Sequence, residues 1–566
     1  MSEKKENIKT DFSWFSNSKI YQIFIDRFSG TKQKYNEEEL KKGFLYGNLK
    51  SAINKLDYIK SLNFNVIWIT PFFVNQKNGY HGYHTINFNH VDPRFAFGEN
   101  IEDDDIGNPL DENDLNLITK SDQVLIDFIH ECHNRNIKVM MDIVFNHVYE
   151  THPFFLHAKN NINSIYRKWF YFIEDMTEDE KNSLFPMYDI LEERRLKKEK
   201  EEKEKKFKEM KEEKKKEIKE EIKEQIKEEK KEEIKEEIKE EIKEEKKEEI
   251  KEEIKEEIKE EKKEEMKEEI KKEGEEKIKK ENKEEKKEEK KEEKKEENKE
   301  ENKDENKEEK EYLKTERKYP LAHLSFLNLG FLPKLNLDTE TCGTYMINVL
   351  KKYIKMGIDA IRVDHALGAS LHYLKRMTDE IHREYPNIPF IGEVPPCTLI
   401  KFAETIKSIS KEKLLLVEKE DLNSIPFVDE IFLDFEGYLN GLLDFNFKNI
   451  VKAFCEGEID YDICIKMLNE HYDKFKGKNI FLVKFLDSHD ENRLLFTCNN
   501  DKNLMMKALT ILFTKFEGRN DPLIIYYGTE DFMSQSKTIY NEDYGDFRTR
   551  QPMNFIFEKM RDLFND

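Results

Sequence analysis

The stretch Gly357–Ala366, GIDAIRVDHA, sets apolar Ile361 and Val363 in alternation with charged Arg362 and Asp364. A period of two is that of a β-strand. The carboxylate comes last, where a strand would meet its loop. Parallel β/α barrels carry their chemistry at the C-terminal ends of strands. A similar stretch, Phe390–Val394 (FIGEV), ends in Glu393, and Phe485–Asp490 (FLDSHD) ends in Asp490. A single acidic residue at a strand end usually caps a helix or makes a turn. Three, at the ends of separate apolar strands, suggest one catalytic mouth.

Working outward, strand composition recurs at Ser18–Phe28 (SKIYQIFIDRF), Val66–Phe73 (VIWITPFF) and Lys138–Val144 (KVMMDIV). These segments are β-branched and aromatic, and Pro71 stops the second. After Gly357–Ala366 and Phe390–Val394, further strands are expected at Glu430–Phe435, Ile480–Asp487 and Pro522–Tyr527. Helical spacing is found at Leu49–Asn63, Ser121–Asn136, Thr341–Met356, Leu371–Tyr385, near Leu399–Ser408 and at Lys502–Phe516. Eight strand candidates with helices between them predict an α/β fold, a (β/α)8 TIM barrel. The rhythm pauses between Val148 and Leu337, which predicts a subdomain inserted after the third strand. Residues 1–147 would form the first part of the barrel, 148–337 the insertion and 338–566 the remainder. A short helix is expected at Phe557–Phe564, and no β-rich domain is expected after it.

The 566 residues carry 99 basic and 121 acidic side chains, a net charge of −22. That balance argues against nucleic acid as a partner, because phosphate binding needs a basic patch. The charged N-terminus has no apolar core of a secretory signal, and no apolar run approaches the ~20 residues of a membrane span. Cys132, Cys342, Cys397, Cys455, Cys464 and Cys498 are scattered without metal-ligand spacing. Free buried thiols and a cytoplasmic location are expected.

From Glu192 to Glu316 the chain is almost entirely Lys and Glu, with a KEEI repeat that places Ile at 218, 222 and 226 and again from 234 and 250. A period of four overshoots the helical turn, so an Ile stripe rotates by about 40° per repeat and makes no coiled-coil seam. A frayed, solvated helix or a disordered loop is expected, with a partner-binding arm as the alternative. Closing such a loop costs little entropy, so a fold can carry it.

The chain resembles the α-amylase family of retaining α-glucan hydrolases and transferases. The resemblance rests on motifs in the family's order: Asp142–His147 (DIVFNH), Leu332–Asn336 (LPKLN), Arg362-x-Asp364, Glu393 in FIGEV, Leu486–Asp490 (LDSHD) and Pro522–Glu530 (PLIIYYGTE). It implies that Asp364 is the nucleophile, kept ionised by Arg362. It implies that Glu393 is the general acid/base and that Asp490 holds sugar hydroxyls and favours the distorted transition state. His147 and His489 match histidines that bind the reacting ring, and Tyr83, in YHGYH, matches the aromatic on which that ring stacks. Asp546 and Arg550 resemble a pair lining the same subsite. Asn146 matches a calcium ligand of many members, with a plain hydrogen bond to the backbone as the alternative.

The implied activity is retaining hydrolysis of α-glucosidic bonds, mainly α-1,4, in maltodextrins or related oligosaccharides. Glucan transfer through the same covalent intermediate is the alternative within the class. A carbohydrate-binding or scaffold barrel is the alternative outside it. LPKLN carries Lys334, as in the cyclodextrin- and pullulan-degrading branch. Leu367 and Gly368 stand where many amylases have Lys-His. Both departures move the expectation away from a plain starch-cleaving endo-amylase.

Overall fold

Ten strands are formed among the described residues: β1 Lys19–Ile23, β2 Val66–Ile69, β3 Phe73–Asn75, β4 Thr85–Val91, β5 Lys138–Ile143, β6 Ala360–Val363, β7 Phe390–Gly392, β8 Gly441–Leu443, β9 Phe481–Val483 and β10 Leu523–Tyr526. They belong to a computed structural model that describes residues 10–31, 35–98, 106–177, 322–396, 422–541 and 545–556. The Lys/Glu tract and the helices expected near Leu399–Ser408 and Phe557–Phe564 lie outside the described residues.

Eight strands make one parallel sheet in the order β10-β1-β2-β5-β6-β7-β8-β9. A parallel bridge between Lys484 and Leu523 joins β9 to β10 and closes the ring. This is the expected (β/α)8 barrel. All four residues of β2 (VIWI) and of β10 (LIIY) are buried. Such unbroken apolar runs suit strands covered on both faces. The helices Lys120–Asn134, Glu340–Lys355, Leu371–Glu384 and Lys502–Phe513 fall where helical spacing places them, each within a few residues.

Two segments differ from the expectation. Glu430–Phe435 is not a strand: residues 430–434 end the helix Ile425–Asp434, which begins with Pro426 in its first turn. Proline is favoured there because its fixed φ suits a helix start and its missing N–H is not needed. The sixth barrel position is filled instead by β8, three residues paired to β7 and β9. Leu49–Asn63 forms two short helices, Leu49–Ile53 and Leu56–Ser61, separated at Asn54 and Lys55.

After β2, the antiparallel pair β3–β4 carries the loop with Tyr80–His84. After β5, helix Pro153–Asn160 and bridges Phe170–Leu335, Phe172–His323 and His147–Lys334 tie residues 148–177 to 322–337. Phe154, Phe155, Trp169 and Phe170 are buried within this insertion. Cys132, Cys342, Cys455, Cys464 and Cys498 are buried free thiols; Cys397 lies outside the described residues. Among the described residues no helix is long and apolar enough to cross a membrane.

Candidate active site

Asp364, Glu393 and Asp490 follow β6, β7 and β9, so the barrel brings the three sequence-predicted carboxylates to one end. Arg362, fully buried on β6, organises two of them. Its Nη1 donates to Asp364 Oδ1 at 2.6 Å and to Asp142 Oδ1 at 2.7 Å. Its Nη2 lies 2.6 Å from Glu393 Oε1 without an aligned N–H. Asp364 and Glu393 thus sit on the two ends of one guanidinium fork.

One cation facing three carboxylates does not neutralise them all. Burial is the largest influence on Asp364 and pushes its carboxyl up, against the pull of Arg362. Asp142 moves the same way for the same reason. Burial likewise raises Glu393 to about 7, with Arg362 opposing and Asp364 and Asp490 adding to the rise. Arg362 therefore pulls Asp364 towards the charged form, while burial and the neighbouring Asp142 and Asp490 push the other way. Asp490 differs. Burial pushes it up too, but His489, Arg550 and Arg362 outweigh that and hold it well below the usual carboxylate range. Its side chain remains 48 % exposed, so it is presented to the cleft.

The backbone turns sharply after Asp364. His365 adopts a left-handed conformation with φ +43°, a strained state for a residue with a β-carbon. The turn aims His365 N–H at Glu393 Oε2, 3.0 Å away, which links the two carboxylate-bearing loops.

The expected sugar-binding residues gather around this centre. Tyr83 Oη lies 3.0 Å from Asp142 Oδ2 and 2.7 Å from His489 Nε2. The Tyr83 loop depends on Gly82, whose φ of +86° and place against Pro71 leave no room for a β-carbon. His489 Nε2 is 2.9 Å from Asp490 Oδ2. His147 is buried, hydrogen-bonds the Tyr83 carbonyl at 3.1 Å and stacks on Phe326. Burial lowers His147 to about 3, so the imidazole is neutral. Arg550 is also buried. Its Nη2 meets Asp490 Oδ1 at 2.6 Å, its Nε donates to the His489 carbonyl, and Nη1 pairs with Asp546. Asp546 reaches the centre only through Arg550.

Three residues were not singled out for the site. Asp142, quoted only as the start of DIVFNH, is a member of the Arg362 cluster. Gln22 on β1 donates from Nε2 to His489 Nδ1 at 2.8 Å. The contact fixes the ring so that Nε2 faces Tyr83 and Asp490. Its only sequence signal is its position one residue after Tyr21 in the first strand. The third is Phe326, in the insertion, whose ring lies between those of His147 and His365.

Asn146, the candidate calcium ligand, is buried with neither amide atom hydrogen-bonded, so the alternative of a hydrogen bond from its side chain does not hold. Gly368 packs against it so closely that a β-carbon would come within 2.0 Å of its Oδ1. Among the described residues no three His, Cys, Asp or Glu side chains are placed to hold a metal ion. One amide oxygen falls far short of the 6–8 oxygens that calcium takes.

A family model described as alpha amylase, catalytic domain, matches residues 22–125, 120–243 and 265–562. Alpha-amylase 2 of Dictyoglomus thermophilum is 35 % identical over 159 residues, 28 % of this chain and 24 % of that protein. A cyclomaltodextrinase of Thermoanaerobacter pseudethanolicus is 30 % identical over 166 residues, 28 % of this chain and 24 % of that protein. The matches thus span about a quarter of the length of these relatives. The solved cyclic alpha-maltosyl-(1→6)-maltose hydrolase of Arthrobacter globiformis superposes with a TM-score of 0.52 at 14 % identity, over 97 % of this chain and 80 % of that one. A solved cyclomaltodextrinase gives a TM-score of 0.54 at 18 % identity, over 98 % of this chain and 62 % of that one. At these identities the structures speak for the fold, and the family match covers most of the sequence. The chain belongs to the family of alpha-amylase catalytic domains.

Proposed function

We propose that the protein is a retaining glycoside hydrolase that cleaves α-glucosidic bonds of maltodextrins or related oligosaccharides. The observation that carries this reading is the placement of Asp364 and Glu393 on the two terminal nitrogens of Arg362. Retaining enzymes need their two carboxyl groups close, about 5–5.5 Å apart, because one attacks the carbon whose leaving group the other protonates. The hydrogen bond from Arg362 Nη1 favours the charged form of Asp364, and the poorly aligned Nη2 contact leaves the proton to Glu393.

In the first step an Asp364 oxygen attacks the anomeric carbon. The bond to the leaving sugar's oxygen breaks, and that oxygen takes the proton of Glu393. In the second, the Glu393 carboxylate removes a proton from water, and the water oxygen attacks the anomeric carbon. The bond to Asp364 then breaks, restoring the carboxylate. Asp490, held ionised by His489 and Arg550, accepts hydrogen bonds from ring hydroxyls. Neutral His147 binds hydroxyls without adding charge, His489 faces the ring with Nε2, and Tyr83 offers its ring face. A relative named cyclomaltodextrinase and a solved hydrolase bound to maltose support an oligosaccharide substrate.

Replacing Asp364 by Asn removes the nucleophile and keeps its shape. Turnover of maltotriose by D364N is expected to fall by at least about 10³-fold, with an unchanged far-UV spectrum. Products read by NMR at the first instant should be α-anomers. Unchanged turnover in the variant, or β-anomeric product, rejects the mechanism.

A further inference from the structure

Asp490 stands on a segment without ladder hydrogen bonds, between β9 and the helix Leu494–Thr497. Its backbone N–H bonds only as far as Ser488 Oγ, at 3.2 Å. The position of this carboxylate must therefore be set by side chains. Arg550 and His489 hold the Asp490 carboxylate itself, from the cleft side. The next residue turns the other way. Glu491 Oε1 lies 2.5 Å from Lys448 Nζ, and Glu491 Oε2 accepts from Tyr540 Oη at 2.5 Å.

Lys448 is an unexpected residue for its place. It sits in the helix Phe445–Cys455, behind β8, and is 3 % exposed. Val451, Cys455, Leu486 and Leu494 line the same small cavity, so a Met would suit the volume. A buried ammonium costs desolvation, which only a well-placed partner offsets. Packing alone therefore gives no reason for a lysine. The Glu491 contact ties a barrel helix to the loop that presents Asp490.

We propose that Lys448 is a positioning residue for glycoside cleavage: through Glu491 it clamps the loop so that Asp490 stays in register with the sugar. Tyr540, from the segment after β10, holds the same carboxylate from the other side. The proposal rests on the reading above, in which Asp490 acts on the sugar in the transition state.

Four full-length variants test it: Lys448→Met, Lys448→Arg, Glu491→Gln and, as reference, Asp490→Asn. kcat and KM are measured on maltotriose at a temperature where melting curves show each variant folded. Loosening the loop misplaces a group that works in the transition state. Lys448→Met and Glu491→Gln are therefore expected to lower kcat by about 10–100-fold with KM nearly unchanged. Lys448→Arg, which keeps the charge, should restore most of it. A merely structural lysine would lower the melting temperature and leave kcat of the folded enzyme alone, which overturns the clamp. If Lys448→Met does not fold, Glu491→Gln, a near-isostere at a less buried position, decides alone. If Asp490→Asn leaves kcat unchanged, the role of Asp490 falls and the clamp falls with it. If Asp490→Asn lowers kcat and the Lys448 and Glu491 variants do not, the clamp alone is wrong.

Discussion

At Glu393 the local environment makes a quantitative claim. Burial, opposed by Arg362, raises its carboxyl to about 7. A general acid works only while protonated, and its protonated fraction falls as pH rises through its pKa. kcat/KM on maltodextrins should therefore have an alkaline limb centred near that value. Glu393→Gln should remove the limb and lower the rate by about 10²–10⁴-fold. A limb with the same midpoint in Glu393→Gln would assign the titration to another group. Asp364, Glu393 and Asp490 were legible because each is an acid at the end of an apolar run. Gln22 was not, because an amide in a strand reads as an ordinary polar residue until His489 is seen opposite it. The Asp546–Arg550 spacing was compatible with a surface ion pair, and only the burial of Arg550 beside Asp490 makes it part of the site.

Between elements, the least legible part was the sixth strand. Residues 430–435 (EIFLDF) are apolar enough for a buried strand, but Pro426 starts a helix that runs through them. The strand actually used, Gly441–Leu443, is too short to show a period. Its surroundings are fastened by charge. His471, from helix Tyr461–Asp473, contacts Asp429 Oδ1 at 2.6 Å and Asp444 Oδ2 at 3.1 Å, and Tyr472 Oη donates to Asp444 at 2.7 Å. Asp429 belongs to Ile425–Asp434, and Asp444 caps Phe445–Cys455, so three helices meet at one imidazole. Burial pulls the His471 pKa down, but the two aspartates outweigh it and hold it up at about 10. An ordinary unfolded histidine titrates near 6.5. The folded pKa is the higher one, so the protonated pair adds stability fully below about 6.5, less as pH rises, and none above about 10. His471→Gln takes the cation from buried Asp444 and leaves Asp429 with Lys474 alone, and should cost about 3–5 kcal/mol near neutral pH. Melting curves from pH 6 to 10 check both parts: the variant should melt lower at pH 6 and converge on the parent towards pH 10. A constant gap across that range would mean lost packing rather than lost charge.

Over the whole molecule, the barrel closes using described residues alone, and every group assigned to the cleft lies among them. The described residues on either side of 178–321 pair directly with each other. Ile173 N–H donates to the Ala322 carbonyl at 3.0 Å, and Phe172 bridges His323. The chain between those paired points can therefore be shortened without moving either end. Excising residues 192–316 and rejoining the ends through a few Gly and Ser residues reduces the loop closed at Ile173–Ala322 several-fold. For a flexible loop each halving relieves about 0.6 kcal/mol of closure entropy, so the excised protein should gain about 1–2 kcal/mol rather than lose stability. Its kcat and KM on maltotriose should match the parent's, because no catalytic or sugar-binding group has been removed. A fall in kcat with the melting temperature preserved would mean that the Lys/Glu segment takes part in the reaction. Equal kcat with a raised KM confined to long maltodextrins would instead give it a role in holding the polymer.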